Sequence, residues 1–318
     1  MRYRNFGRTG QQVSERSFGA WAIGGQSYGP VDPAQALDAL ARAEELGCNL
    51  VDTAAVYGDS EAVLGRFLTG RRDRWMVASK YSGQQQGMSA LVEEQLRRLG
   101  TDRIDFYQIH WAPHGRDEAL YAELDRLKRD GKIRFCGVSL RNAADVDRVL
   151  AHALIDGIQM PVSLLDPDPL AARRERLRKS GVAVIARSAL RGGFLTGKYD
   201  EASTFADAAD QRSEWDRDRI RATARQARSF SFVAEAAGSA HAGAIAYPLS
   251  FPEVSTVVIS CKTAAQADAN FGDGVPSSLD PSLLSRIERN QRELQLFHAG
   301  RAGRLWQRVR GVFARGGR

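Results

Sequence analysis

Eight short runs rich in β-branched residues recur between residues 16 and 260, and most are followed by an amphipathic stretch of helical period. The runs are RSFGA (16–20), CNLVD (48–52), RWMVASK (74–80), RIDFYQIH (103–110), IRFCGVS (133–139), GIQM (157–160), VAVIAR (182–187) and STVVIS (255–260). Strands this apolar need cover on both faces, which a parallel sheet flanked by helices provides. Eight such units predict the α/β class and a closed (β/α)8 TIM barrel. An open doubly wound sheet is the competing architecture, but it normally carries a G-x-G-x-x-G turn after its first strand, and this chain has none there. The length of 318 residues, 43% of them hydrophobic, suffices for one barrel or for two smaller domains.

The connecting stretches carry helix punctuation. DPAQALDALARAEELG offers Asp32 as a cap with Pro33 in the first turn, and SEAVLGRFL offers Ser60. SALVEEQLRRLG, DEALYAELDRLKRDG and DPLAARRERLRKSG each end in Gly, which suits a left-handed carboxyl cap. Ahead of the first strand, RYRNFGRTGQQVSE predicts a small hairpin turning at Gly-Arg-Thr-Gly. Residues 199–218 form a polar insert too long for an ordinary connection, and a functional or mobile loop is expected there. Residues 1–300 are read as the barrel with its hairpin, and 301–318 as a basic amphipathic tail.

That tail explains the charge. Of the net +7, six charges come from arginines within 301–318, leaving +1 for the body. The excess therefore gives no reason to expect a nucleic-acid partner. Leu305, Trp306, Val309, Val312 and Phe313 recur at helical spacing in the tail, an arrangement able to meet an anionic surface or an acidic partner, or simply to pack on the body. No apolar run approaches the roughly 20 residues of a membrane span, and the amino terminus lacks a signal-type apolar core. A cytoplasmic protein is expected. Cys48, Cys136 and Cys261 lie too far apart in sequence for a zinc motif or a disulfide framework and are read as reduced thiols. His110, His114, His152, His241 and His298 show no ligand spacing, so no metal is expected. GGFLTGKY (192–199) imitates a phosphate loop, but Tyr199 stands where that motif needs a Ser or Thr hydroxyl for magnesium.

In a barrel of this kind chemistry gathers at the carboxyl ends of the strands, and here they end on Asp52, Lys80, His110, Ser139, Gln159, Arg187 and Ser260. A carboxylate at a buried strand end needs a compensating partner. Lys80, on the next strand, can supply it as a charge-assisted pair. Tyr57 lies on the loop after Asp52, within reach of that cation, which is expected to lower its pKa from about 10 and make it a proton donor. His110 can then hydrogen-bond the same substrate oxygen and orient a carbonyl.

Through YRNFGRTG, VDTAAVYGDSEAVLGRFL, VASK, RRLGTDRIDFYQIHW, LKRDGKIRFCGVS, GFLTGKY and the region around VVISCKTAAQADANF, in order along nearly the whole chain, the sequence resembles the aldo-keto reductase family. The resemblance implies an (α/β)8 barrel that binds NADPH in extended form, with a catalytic tetrad at Asp52, Tyr57, Lys80 and His110. It implies Ser139 and Gln159 at the nicotinamide carboxamide, and backbone around Ser188, Leu190 and Gly192 at the pyrophosphate. Lys262, Gln266 and Asn270 would face the adenosine end, with Lys262 on a 2′-phosphate, so that NADP(H) is expected ahead of NAD(H). Trp21, Tyr57, His110 and Trp111 would line the substrate pocket. Two departures stand out: Leu140 follows Ser139 where the family usually has Asn, and Arg187 occupies a position that often holds an aromatic ring against the nicotinamide. The expected function is NADP(H)-dependent reduction of a small aldehyde or ketone, keto-sugars included. The alternative is a coenzyme-binding sensor or auxiliary subunit with negligible turnover, suggested by Leu140, Arg187 and the tail.

Overall fold

The structure is a computed structural model that describes residues 1–297 except 114, 141 and 143. His114, His298 and the tail at 301–318 lie outside the described residues.

The first two strands, β1 (Tyr3–Asn5) and β2 (Gln12–Ser14), form an antiparallel hairpin, with Gly10 taking the left-handed conformation before the return strand. Eight parallel strands follow: β3 (Arg16–Gly19), β4 (Leu50–Asp52), β5 (Met76–Tyr81), β6 (Ile104–Ile109), β7 (Ile133–Ser139), β8 (Gly157–Pro161), β9 (Ala183–Arg187) and β10 (Val254–Ser260). They pair in sequence order, and β10 returns to β3, closing the barrel. All eight predicted strands are present and paired, and the open-sheet alternative is excluded by the β10–β3 ladder.

Helices cover the outside: α1 (Pro33–Glu45), α2 (Ser60–Leu68), α3 (Gly87–Leu99), α4 (Ala119–Arg129), α5 (Ala144–Val149), α6 (Asp168–Ala171), α7 (Arg174–Ser180), α8 (Arg217–Arg228), α9 (Phe232–Ala237), α10 (Ala240–Leu249), α11 (Ala264–Phe271) and α12 (Pro281–Glu293). Asp32 caps α1 by accepting from the Ala34 amide at 2.9 Å. Ser60 is not a cap. It is the first residue inside α2, and its buried hydroxyl lies 2.7 Å from Thr53 Oγ1, a tertiary contact that displaces the local one. The stretch from Asp168 to Ser180 is broken into α6 and α7 rather than forming one helix.

Side chains two apart on a strand share a face. The inward set nearest the strand starts is apolar: Leu50, Met76, Ala78, Phe106, Ala183 and Ile185 form one cluster with Phe6 and Val13 of the hairpin. Phe6 meets Phe106 edge-on at 5.0 Å between ring centroids. The hairpin thus plugs the amino-terminal end of the barrel. Arg8 fastens it by donating to the carbonyls of Ser180, Ala153 and Ile155 at 2.9–3.1 Å. Phe106 fits because its neighbours on β7 and β8 are glycines. A Cβ on Gly137 would lie 2.5 Å from Phe106 Cζ and 2.1 Å from the Gly157 carbonyl oxygen. Gly137→Ala is therefore expected to destabilise the fold by about 1–3 kcal/mol, read as a lower urea midpoint at unchanged slope.

The insert at 199–218 is packed. Phe194 stacks on Trp215 at 5.6 Å, Tyr199 meets Phe205 at 5.1 Å, and the Arg212 guanidinium sits 4.2 Å from the Phe205 ring centroid. Arg212 also pairs with Asp210 at 2.6 Å and donates to the Gly192 carbonyl at 2.9 Å. Backbone bonds from Gln211 N to Ser27 O (2.9 Å) and from Gly29 N to Ala209 O (3.1 Å) join this segment to the loop ahead of α1.

Candidate active site

Above the apolar layer the inward positions turn polar. Strand register sets Lys80 beside Gln108 and Ser139 beside Gln159, with Asp52 at the end of β4. These five side chains are buried and joined in one network. Lys80 Nζ donates to Asp52 Oδ2 at 2.7 Å and to the Thr53 carbonyl at 2.8 Å. The other carboxylate oxygen, Asp52 Oδ1, accepts from Gln159 Nε2 at 2.9 Å and from Gln108 Nε2 at 3.3 Å. Ser139 Oγ donates to Gln159 Oε1 at 3.2 Å. Both Asp52 oxygens are thereby committed, and one of them is aimed at the ammonium.

Tyr57 reaches this pair from the β4–α2 loop. Lys80 Nζ lies 4.9 Å from the Tyr57 ring centroid. Close approach of two backbones holds the loop there. A Cβ on Gly24 would fall 1.7 Å from the Tyr57 carbonyl oxygen, and Gly58 adopts φ +55°, which favours glycine. The Tyr57 ring has Trp21 at 5.8 Å on one side and His110 at 6.3 Å on another. His110 Nδ1 is 2.9 Å from Ser82 Oγ, which fixes the imidazole plane. Trp111 is held by Tyr81, 5.8 Å away, and by donation to Asp117 Oδ2 at 2.9 Å.

Burial pulls the Lys80 ammonium down, but the adjacent Asp52 carboxylate opposes it, and the net shift is upward. Lys80 is thus held charged. Tyr57 departs from the sequence expectation. Burial pushes its phenol up, and although Lys80 and Arg187 oppose that shift, desolvation wins and the pKa is raised. In this structure the phenol is a well-protonated donor rather than an acidified one.

Sequence reasoning missed several supporting residues. Gln108 had a readable signal, since it lies two positions before His110 on the same strand face. Glu61 had none. Its buried carboxylate accepts from Ser79 Oγ at 3.0 Å and from Gln95 Nε2 at 2.7 Å, and Tyr107 donates to Gln95 Oε1 at 2.8 Å. This second network, on the outer face of β5, ties α2 and α3 to the strand that carries Lys80.

The remaining predicted residues lie at the same end of the barrel. Arg187 Nη2 donates to the Leu140 carbonyl at 2.9 Å, and Nη1 lies 3.4 Å from Ser188 Oγ. Beyond it Ser188, Arg191, Gly192 and Gly193 all have positive φ, and within this turn the Arg191 amide donates to the Ser188 carbonyl and the Gly193 amide to the Leu190 carbonyl, each at 2.9 Å. The Lys262 ammonium is occupied by the carbonyls of Tyr28, Gly29 and Pro30, and burial lowers its pKa. Gln266 Oε1 accepts from the Lys262 amide at 2.7 Å, and Asn270 Nδ2 lies 3.4 Å from the Ser260 carbonyl. Cys48, Cys136 and Cys261 are free and buried. Among the described residues no helix is long and apolar enough to cross a membrane.

Known proteins share this architecture and sequence. The model of the Aldo/keto reductase family matches residues 17–290. The chain is 31% identical over 221 residues to the aldo-keto reductase YhdN of Bacillus subtilis, covering 64% of this chain and 67% of that protein. It is 32% identical over 224 residues to the NADH-specific methylglyoxal reductase of Escherichia coli, covering 60% and 68% respectively. The structure of the glycerol dehydrogenase AKR11B4 from Gluconobacter oxydans superposes with a TM-score of 0.74 at 26% identity, over 92% of this chain and 95% of that one. A family match that begins within β3 and ends inside α12 takes in every strand of the barrel, and the chain accordingly belongs to the aldo/keto reductase family of oxidoreductases.

Proposed function

We propose that the protein reduces a small aldehyde or ketone to the alcohol with NADP(H) as hydride donor and Tyr57 as proton donor. The observation that carries this reading is the buried Lys80–Asp52 pair beneath the Tyr57 ring, 2.7 Å between nitrogen and oxygen. Tyr57 passes its phenolic proton to the carbonyl oxygen as that oxygen gains charge. Lys80, kept charged by Asp52, then stabilises the phenolate left behind. His110, with its ring plane fixed by Ser82, directs the carbonyl oxygen toward Tyr57, and Trp21 and Trp111 wall the pocket.

The residues at the mouth fit a nicotinamide dinucleotide. Ser139 and Gln159 are a hydroxyl and an amide side by side, able to donate to and accept from a carboxamide, and the turn at 188–193, with its glycines at 192 and 193, is the backbone read as approaching the pyrophosphate. When bound, the coenzyme supplies hydride to the carbonyl carbon. Lys262 is the residue read as selecting NADP(H) over NAD(H), its ammonium moving from the carbonyls of residues 28–30 to a 2′-phosphate. A cytoplasmic location belongs to the same reading, supported by the three free thiols.

The test is a panel of small aldehydes, ketones and keto-sugars followed by loss of reduced-coenzyme absorbance, with NADPH and NADH in parallel. The expected result is turnover of at least one compound, faster with NADPH, and a reduced preference for NADPH in Lys262→Met. Tight NADPH binding with no turnover across the panel would replace the enzyme with the sensor reading, and equal use of both coenzymes would remove the role given to Lys262.

A further inference from the structure

Arg187 is the inward-facing residue at the end of β9, and its position can be read from the strand register. Gln159 pairs with Ile185 and Pro161 with Arg187, so Arg187 stands one inward step nearer the mouth than Ile185 and the Ser139–Gln159 pair. Its guanidinium then crosses the end of β8 to reach the Leu140 carbonyl, 2.9 Å away on the far side. Leu140 directly follows Ser139 and its amide donates to the Gln159 carbonyl at 2.6 Å, so the guanidinium is held at the end of the strands that carry this pair. It is also near enough to Tyr57 to pull against the burial of the phenol.

The inference rests on the reading above, in which nicotinamide sits on Ser139 and Gln159 with its reactive carbon toward the carbonyl at Tyr57. A nicotinamide held there would have Arg187 as its neighbour at the end of β9. An arginine stays protonated throughout the working pH range. The oxidised nicotinamide ring carries a positive charge and the reduced ring carries none, while the rest of the coenzyme is the same in both. The Asp52 carboxylate is already committed to Lys80, Gln108 and Gln159. Like charges at close range in a partly desolvated cleft repel far more than they would in water.

We propose that Arg187 makes the mouth discriminate between the two redox forms of the coenzyme, binding the reduced form tightly and rejecting the oxidised form. Arg187 is thus a specificity-determining residue that favours carbonyl reduction and speeds release of spent coenzyme. An aromatic ring at this position would stack on either form and provide no such bias.

The experiment titrates NADPH and NADP+ separately into the full-length protein, reading quenching of tryptophan fluorescence, for wild type, Arg187→Gln and Arg187→Lys. The wild type is expected to bind NADPH more tightly. In Arg187→Gln the ratio of the two dissociation constants is expected to fall about tenfold, equivalent to ~1.4 kcal/mol. Arg187→Lys, which keeps the charge, is expected to retain most of the ratio. A wild-type ratio near unity would overturn the proposal without recourse to any variant. An unchanged ratio in Arg187→Gln, or an equal fall in Arg187→Lys, would overturn it while leaving the proposed reaction intact. Failure of the wild type to bind either form would instead remove the functional reading and this inference with it.

Discussion

Tyr57→Phe is expected to lower kcat for carbonyl reduction by about 10²–10⁴-fold, the range for loss of a positioned proton donor. Coenzyme affinity should change little, because the phenyl ring keeps its place beside Trp21 and above Lys80 and only the hydroxyl is lost. The same group sets the pH dependence. Burial raises the Tyr57 pKa above its ordinary value of 10 and outweighs the opposing pull of Lys80. Reduction needs the protonated phenol, so kcat should stay level through neutral pH and fall only as pH rises past that raised value. A pKa lowered by Lys80 would have produced the fall nearer neutrality. Steady-state rates across a pH series separate the two cases. Undiminished turnover in Tyr57→Phe would end the assignment of the proton donor.

Lys80→Met should damage both activity and folding. It strips the cation from a carboxylate that is almost wholly buried, leaving Asp52 with two neutral amides and the Thr53 carbonyl without its ammonium donor. Removing one partner of a buried ion pair costs about 3–5 kcal/mol, since the remaining charge is stranded. Urea denaturation measures that loss directly. The double variant Lys80→Met with Asp52→Leu gives a sharper check, because replacing both charges removes the stranded one. It should recover much of the stability and none of the activity. A Lys80→Met protein as stable as wild type would show that the pair does not hold the barrel mouth as described.

The barrel was legible because its signals are local and repeated. Each β-branched run forms a strand with whichever neighbours it meets, and a side-chain period of two then sends Asp52, Lys80, His110, Ser139 and Gln159 to the same end. The hairpin and the Asp32 cap were legible for the same reason, since a turn or a cap is decided within a few residues. Ser60 marks where local logic stops. A hydroxyl at a helix start is an ordinary cap, yet a threonine seven residues earlier claims it once both are buried. The polar composition of 199–218 concealed Phe205 and Trp215, whose packing depends on Phe194 and on an arginine enclosed by rings.

Lys262 shows the same limit at the coenzyme end. Its sequence position marks a cation, while three carbonyls more than two hundred residues away determine what that cation touches in this structure. The phenol of Tyr57 is the clearest case. Sequence order identified the lysine beside it and hence the direction of one electrostatic effect. The competing effect, loss of water around the hydroxyl, exists only once Trp21, His110 and the barrel rim have closed around the ring. The amino-acid sequence by itself determined which groups arrive at the mouth, because arrival follows from strand parity and order. Tertiary structure decided their protonation and partners, because desolvation and hydrogen-bond competition depend on how many distant atoms crowd each group.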